Sequence, residues 1–265
     1  MYKGLVTSGC SFSLYDVGYK SHGWPHFLQK QLLSDGVLSK DFNSFHRGLG
    51  ANGNTLIARN TIEAISRLLD KGVNGKDILC VVQWSGINRH QLFLQDTEQV
   101  VNHDCSQVSF ESNELQDVEV TSDGYSIDNN GYYLMNSGET VEMRGVKNND
   151  LDKIYIKYFQ NTINDVIDSL WNWMTLQNYC EINNVKPYYT FMFEHDKDML
   201  LNDDIGHTWA WKYLRDSIIT DNVLPSITKY LEPFERFKPF VDDGHPSKRG
   251  HKIFSDYLKK SLTNI

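Results

Sequence analysis

Hydrophobic and polar positions follow two alternating patterns in the first third of the chain. Short apolar runs predict strands at Leu5–Val6, at 42–46 and at 77–84. Between them, apolar residues recur at helical spacing over about 24–34 and 55–71, and a proline at the start of the first stretch suits a first helical turn. This order of strand, helix, strand, helix, strand favours a parallel sheet with helices on both faces.

The pattern changes between residues 91 and 150. Short strand-like segments occur at 118–120, 125–127 and 132–134, and Asn129-Asn130-Gly131 between the last two is typical of a hairpin turn. We interpret this stretch as a β-rich insertion that is held against the main domain.

Beyond the insertion, the helical pattern returns. It predicts a long helix over 151–183 and a final helix over 247–261, with a buried strand at 187–193 between them. Trp209 and Trp211 are placed on a further helix. The chain therefore returns to the alternating α/β pattern of its first third.

Composition limits the classes of function. The chain has 265 residues, 40% of them hydrophobic, so we expect one domain over 1–265 that carries the insertion. Its formal net charge is −8 and no lysine or arginine block stands out, which argues against a nucleic-acid or membrane partner. The four cysteines are too scattered for a metal site. No signal peptide or membrane-spanning run is recognised, so a cytoplasmic or virion-associated location is expected, with the oligomeric state left open.

Two distant segments carry residues suited to nucleophilic catalysis. Ser11 lies in the small-residue turn after the first strand, at the carboxyl edge where open α/β sheets place their ligands. Asp242-Asp243-Gly244-His245-Pro246 precedes the last helix. An aspartate there can accept the His245 ring N–H, fix its tautomer and stabilise the imidazolium. Each segment alone also fits an ordinary turn.

Two further segments can supply hydrogen-bond donors to the same edge. The glycine-rich loop over 48–54 follows the second strand, where a backbone N–H can point into a site. Gly86-Ile87-Asn88 follows the third strand, and Asn88 offers a side-chain amide. Donors aimed at a developing oxyanion are often the largest catalytic contribution in acyl transfer.

Taken in chain order, these four segments resemble the SGNH hydrolase superfamily, also called the GDSL-type esterases. Gly9-Cys10-Ser11 matches the family's Gly-Asp-Ser block, and the stretch from Gly48 to Gly53 matches Asn-x-Gly-x-x-Gly. Gly86-Ile87-Asn88-Arg89 matches Gly-x-Asn-Asp, and the stretch from Asp242 to His245 matches Asp-x-x-His. Each of the first three blocks departs from the family at one position, which indicates a divergent branch: Cys10 and Arg89 replace aspartates, and Gly48 replaces an asparagine.

The resemblance implies a role for each matched residue. Ser11 is the nucleophile, His245 the general base and Asp242 the residue that orients it. The oxyanion hole consists of the Ser11 N–H, the Gly53 N–H and the Asn88 side chain. None of the three departures falls on one of these groups, so the chemistry remains feasible.

The resemblance also implies a fold and a reaction. The fold is α/β, a flavodoxin-like three-layer α/β/α sandwich with a central, mostly parallel sheet of about five strands. The reaction is hydrolysis of small acyl esters, most plausibly O-acetyl groups on a carbohydrate, through an acyl-enzyme intermediate and without a metal or organic cofactor. The substrate is an acylated small molecule or polysaccharide. SGNH proteins associated with bacteriophages and bacterial polysaccharide loci have similar sequences in the first and second blocks. An acyltransferase using the same residues and a catalytically silent glycan-binding or structural module remain alternatives.

Other candidate residues have simpler interpretations. Glu194-His195-Asp196-Lys197-Asp198 contains metal-ligand types, but a solvated loop after the preceding strand is favoured. Cys10 offers a second nucleophile, although free cysteines are more often buried packing residues. The tryptophan pairs at 171/173 and 209/211 can stack on sugars, but core packing is the default for each.

Overall fold

The computed structural model describes residues 1–13, 23–48, 53–93, 107–110, 120–121, 132–136, 161–201, 209–242 and 244–263. The strands within these ranges are β1 Tyr2–Gly9, β2 Leu38–Gly48, β3 Ile78–Trp84, β4 Arg89–Phe93, β5 Gln107–Phe110, β6 Val120–Thr121, β7 Tyr132–Asn136 and β8 Lys186–Phe191. The helices are α1 Trp24–Ser34, α2 Asn54–Asp70, α3 Thr162–Ile182, α4 Glu194–Leu201, α5 Trp209–Asp216, α6 Ile227–Leu231 and α7 Lys248–Thr263.

The central sheet has the strand order β6-β5-β2-β1-β3-β8. Its four strands β2, β1, β3 and β8 are parallel, so their carboxyl ends lie at one edge. Thr7 of β1 is opposite His46 of β2, and Ser8 is opposite Val82 of β3. The segment that follows β1 is therefore flanked by the ends of two neighbouring strands, which is where open α/β sheets form their sites.

Helices cover both faces of the sheet and make the fold a three-layer α/β/α sandwich, as predicted. Side chains of α2, α3 and α5 pack with alternate sheet residues such as Val6, Cys80 and Val82. Side chains of α1, α6 and α7 pack on the opposite face with the intervening residues, such as Leu5 and Leu79. The period of two along a strand explains why consecutive residues of β3, and of β1 from Gly4 onward, are all buried but enter different cores.

Helix boundaries follow local sequence signals. Pro25 occupies the first turn of α1, where its missing N–H costs no intrahelical bond. The Asn161 side chain caps α3 by accepting the Asn164 N–H at 2.9 Å, so this helix begins about ten residues later than the periodicity predicted. The stretch 151–160 of the predicted helix lies outside the described residues. The predictions for α1, α2 and α7 are confirmed to within two residues at each end.

The described strands between 91 and 136 divide between two sheets. β5 pairs antiparallel with β2 at the edge of the central sheet and β6 pairs with β5, whereas β4 and β7 form a separate two-stranded sheet. The central sheet thus has four parallel and two antiparallel strands, against a predicted total of about five. The predicted strand at 125–127 and the turn at 129–131 lie outside the described residues.

Two buried histidines connect the sheet to the helices. His46 of β2 contacts Thr7 Oγ1 through Nδ1 at 2.5 Å and donates from Nε2 to Gln29 Oε1 of α1 at 2.6 Å. His251 of α7 accepts the Trp24 N–H at 3.2 Å. Burial lowers the pKa of each imidazole to about 3, so both are neutral in the folded protein near neutral pH. Within the described residues, no helix combines the length and hydropathy needed to cross a membrane.

Candidate active site

Ser11 and His245, 234 positions apart in the chain, meet at the carboxyl edge of the sheet. The Nε2 atom of His245 lies 2.8 Å from Ser11 Oγ, which is hydrogen-bond distance. Both side chains are half-buried, so the pair is supported by protein yet open to a substrate. In this geometry a neutral imidazole can accept the proton of the hydroxyl.

A short 3-10 turn over Ser11–Ser13 presents the hydroxyl. The Ser13 N–H and the Ser13 hydroxyl both donate to the Cys10 carbonyl, at 2.9 and 3.0 Å, and this fixes the turn directly after β1. A side chain on Gly9 would place Cβ only 2.3 Å from Ser13 Oγ. The glycine before the serine is therefore required for the turn to close on the strand.

A second tight turn presents His245. The Val241 N–H donates to the His245 carbonyl at 2.8 Å, and the Gly244 N–H donates to the Val241 carbonyl at 2.9 Å. Gly244 has φ +82°, a left-handed conformation that favours glycine. The Phe12 ring packs against the imidazole with 4.9 Å between ring centroids. The imidazole is thus positioned both by its own loop and by the Ser11–Ser13 turn.

The predicted orienting residue, Asp242, lies exposed on the surface of this turn. The assignment of Asp242 to the triad stays a prediction. The adjacent Asp243, which is the alternative carboxylate, lies outside the described residues.

Gly53, the predicted backbone donor, lies directly before the first residue of α2. A Cβ at this position would be 2.3 Å from the carbonyl oxygen of Arg89, so the two backbones are packed together without room for a side chain. Gly48, at the end of β2, is similarly close to the Ser13 backbone, with 2.9 Å from a built Cβ to the Ser13 carbonyl oxygen. The residues between them, 49–52, lie outside the described residues.

Asn88, the predicted side-chain donor, belongs to a turn at the end of β3 in which the Arg89 N–H donates to the Gly86 carbonyl at 3.2 Å. Its side chain is exposed, and its Oδ1 would be 2.9 Å from a Cβ built on Gly86. Because β3 is paired with β1, this turn lies at the same sheet edge as Ser11. Participation of Gly53 and Asn88 in an oxyanion hole stays a prediction.

Asn54 joins the two proposed donor segments and was not assigned a role from the sequence. Its side-chain oxygen accepts the Ser85 N–H at 2.9 Å, and its amide donates to Ser169 Oγ of α3 at 3.0 Å. The first residue of α2 is thereby tied to the end of β3. The sequence signal for this role was the asparagine directly after the second block, since the oxygen and the nitrogen of a buried amide both need hydrogen-bond partners.

Cys10 lies on the opposite side of the turn from Ser11. It is fully buried, its Sγ is 3.5 Å from Met192 Sδ, and the Gln83 amide donates to it at 3.4 Å. These contacts give Cys10 a packing role rather than a nucleophilic one. The packing interpretation also fits Trp173 and Trp211, which are buried, whereas Trp171 is exposed and the side chain of Trp209 lies outside the described residues.

The interpretation of 194–198 as a solvated loop is wrong. The segment forms the first turn of α4, because Glu194 and Asp196 suit the N-terminal turn of a helix. Asp196 is buried there, and burial raises the pKa of its carboxyl to about 6. Among the described residues, no group of three or more His, Cys, Asp and Glu side chains is arranged to hold a metal ion.

A cleft of about 580 Å³ lies beside the loop that carries His245. Gly244, next to His245, forms part of its wall, together with Glu194, Glu232, Glu235, Lys229, Thr228 and Phe240. On the neighbouring side Phe193 is exposed and stacks edge-on against Phe12, with 5.6 Å between centroids. The loop of His245 thus borders a cleft with charged and polar side chains, and the Phe12 ring next to the imidazole borders an exposed aromatic side chain.

No family model matches the sequence, and no curated protein matches it. Among solved structures, the chain is similar to a member of the lipolytic protein G-D-S-L family from Veillonella parvula DSM 2008. The two share 9% sequence identity with a TM-score of 0.44, and the match covers 99% of each chain.

Proposed function

We propose that this chain is a serine ester hydrolase of the SGNH type. The observation that carries the proposal is the 2.8 Å contact between Ser11 Oγ and His245 Nε2 at the carboxyl edge of the parallel sheet. Neutral His245 accepts the Ser11 proton as the oxygen attacks the ester carbonyl. The protonated imidazole then protonates the departing alcohol, which leaves the acyl group on Ser11. In the second half, His245 takes a proton from water as the water attacks the acyl carbonyl, and the imidazolium returns that proton to Ser11 Oγ as the carboxylic acid is released.

The developing negative charge on the carbonyl oxygen needs preorganised donors. We assign these to the Ser11 N–H, the Gly53 N–H and the Asn88 side chain. Their support is positional: the Asn54 side chain links the start of α2 to the end of β3, and both segments border the Ser11 turn. Asp242, or its neighbour, stabilises the imidazolium.

The substrate class that we propose is an O-acetyl ester, with a carbohydrate as the alcohol. The Phe12 ring, which contacts His245 directly, offers an apolar surface for a small acyl group. In the cleft next to Gly244, carboxylates, a lysine and a threonine offer hydrogen-bonding partners for a hydroxyl-rich leaving group. Exposed Phe193 offers a face on which a sugar ring can stack.

Hydrolysis of p-nitrophenyl acetate by the purified protein tests the reaction class. Ser11→Ala should lower turnover by several orders of magnitude while leaving the fold intact, because it removes only a half-buried hydroxyl. Cys10→Ala is the matched control in the same turn and should retain activity. Full activity in S11A together with loss in C10A would move the nucleophile to Cys10, and inactivity of the wild type would refute the proposed function.

A further inference from the structure

Arg89 stands directly after Asn88, at the position where the SGNH pattern has an aspartate. Its side chain is half-buried, and the guanidinium donates to the Ser85 hydroxyl at 2.9 Å. Its backbone N–H donates to the Gly86 carbonyl at 3.2 Å. Arg89 therefore closes the turn that carries Asn88 with one side-chain bond and one backbone bond.

The same residue borders the start of α2, where the second proposed donor lies. A Cβ built on Gly53 would be 2.3 Å from the Arg89 carbonyl oxygen, so the two backbones are in close contact. Ser85 is tied to this helix as well, because its N–H donates to the Asn54 side chain at 2.9 Å. Both polar groups of Ser85 are thus engaged, the N–H by α2 and the hydroxyl by Arg89.

These contacts lie at a buried point of the structure. Ser85 is fully buried and Asn54 is 3% exposed, and the Asn54 amide also donates to Ser169 of α3 at 3.0 Å. Hydrogen bonds are electrostatically stronger in such an environment than in water. The guanidinium is a charged donor, and charge-assisted hydrogen bonds are stronger than neutral ones. The start of α2, the end of β3 and Arg89 therefore form one hydrogen-bonded unit.

We propose that Arg89 is a positioning residue for the oxyanion hole. Its bond to Ser85 holds the Asn88 turn, and its backbone fixes the distance between that turn and Gly53, so that both donors face one carbonyl oxygen. This inference rests on the proposed function, and oxyanion stabilisation depends on donors that are fixed before the charge develops. Because Arg89 acts in this role through other groups, its loss should lower turnover and leave substrate binding almost unchanged.

The test is a double-variant cycle measured with p-nitrophenyl acetate, which is a neutral substrate. Arg89→Met keeps the aliphatic part of the side chain and removes the guanidinium, whereas Ser85→Ala removes the acceptor and keeps the Ser85 N–H. Each variant should lower kcat about ten- to a hundredfold, because small misplacements of catalytic groups have effects of that size, and should keep KM within about threefold. The double variant should be at most about twofold worse than Arg89→Met alone.

A second comparison asks whether the effect runs through Asn88. Both variants keep the backbone contacts of Arg89, so they act on the Asn88 turn. In the Asn88→Ala background, which itself is expected to lose about a hundred- to a thousandfold, Arg89→Met should cause at most about a twofold further loss. Arg67→Met is the matched control, because it removes an exposed arginine near the other end of α2, and it should keep kcat within about twofold.

Far-UV circular dichroism and thermal unfolding show whether each variant is folded. Wild-type kcat in either folded single variant would overturn the positioning role, and an unaffected Ser85→Ala alone would mean that the Arg89 charge acts without the bond. A rise in KM that accounts for the loss would place Arg89 on the substrate and would also overturn it, as would equal losses with and without Asn88.

If Arg89→Met does not fold, Ser85→Ala and its combination with Asn88→Ala give the same comparison. Failure of both single variants to fold would assign the Arg89–Ser85 bond to the stability of the fold and overturn the proposal. In all of these cases the proposed function stands as long as the wild type is active, whereas an inactive wild type would remove both proposals together.

Discussion

Acidification from pH 7.5 to 5.0 should destabilise this protein by a calculable amount. His46 and His251 are buried and neutral when folded, with the pKa of each lowered to about 3. A histidine in the unfolded chain has a pKa near ~6.5 and binds a proton over this range. A histidine whose pKa is lower in the folded protein than in the unfolded chain does not reduce stability above its unfolded-state pKa. Below that pKa, stability is lost as the pH falls toward the folded-state pKa. Both histidines therefore favour unfolding at pH 5.0.

The magnitude follows from these values. At pH 5.0 each unfolded histidine gains RT ln(1 + 10^1.5), about 2 kcal/mol, from a proton that the folded side chain does not bind. Asp196 acts in the opposite direction, because its pKa is raised to about 6 and its folded form takes up a proton that the unfolded form does not. That uptake stabilises the folded state by about 1.4 kcal/mol at pH 5.0. The net loss is about 2.5 kcal/mol.

Urea unfolding followed by tryptophan fluorescence at both pH values measures this difference. His46→Gln and His251→Gln should each reduce the pH-dependent loss by about 2 kcal/mol, whatever they do to stability at pH 7.5. Asp196→Asn should increase the loss to about 4 kcal/mol, because the compensating protonation is removed. A free energy of unfolding that is unchanged between pH 7.5 and 5.0, or an undiminished loss in both histidine variants, would refute the reasoning.

Two predictions concern the candidate site directly. Gly53→Ala places a Cβ 2.3 Å from the Arg89 carbonyl oxygen, so it should destabilise the fold by about 1–3 kcal/mol and lower turnover. The control is Gly72→Ala, at a glycine with φ +81° and open space around it. This variant should lower the free energy of unfolding by about 1 kcal/mol, measured by thermal unfolding, and leave activity unchanged. Asp242→Asn should lower kcat about a hundredfold or more if Asp242 stabilises the imidazolium; unchanged turnover and an unchanged acidic limb of the pH–rate profile would move that role to Asp243.

The alternation of apolar runs and amphipathic stretches was sufficient to predict the α/β/α layers, because strands buried on both faces and helices buried on one face differ in period. It also placed Ser11 and His245 at the ends of elements that meet in space. The ends of helices were harder to predict: α3 starts at the Asn161 cap, a single hydrogen bond that periodicity does not report.

The supporting residues of the site were not predictable from local patterns. Asn54 matters through its contacts with Ser85 and Ser169, which depend on the tertiary arrangement of three elements. The segment around Asp196 has the composition of a solvated loop, and nothing local indicates that this carboxylate becomes buried. Buried polar residues arise from long-range packing, so their roles emerge only once the sheet edge is assembled.

The antiparallel pairing of β5 with Ser44, Phe45 and His46 of β2 has a consequence for solubility. Without β5, the backbone N–H and C=O groups along that side of β2 would form an open sheet edge, which is a template for pairing with another chain. The stretch whose sequence least resembles the rest of the protein thus shields its central sheet from self-association. A shortened chain lacking β5 should retain the parallel strands β2, β1, β3 and β8 but accumulate as aggregates, and size-exclusion chromatography would reveal this before any assay of turnover.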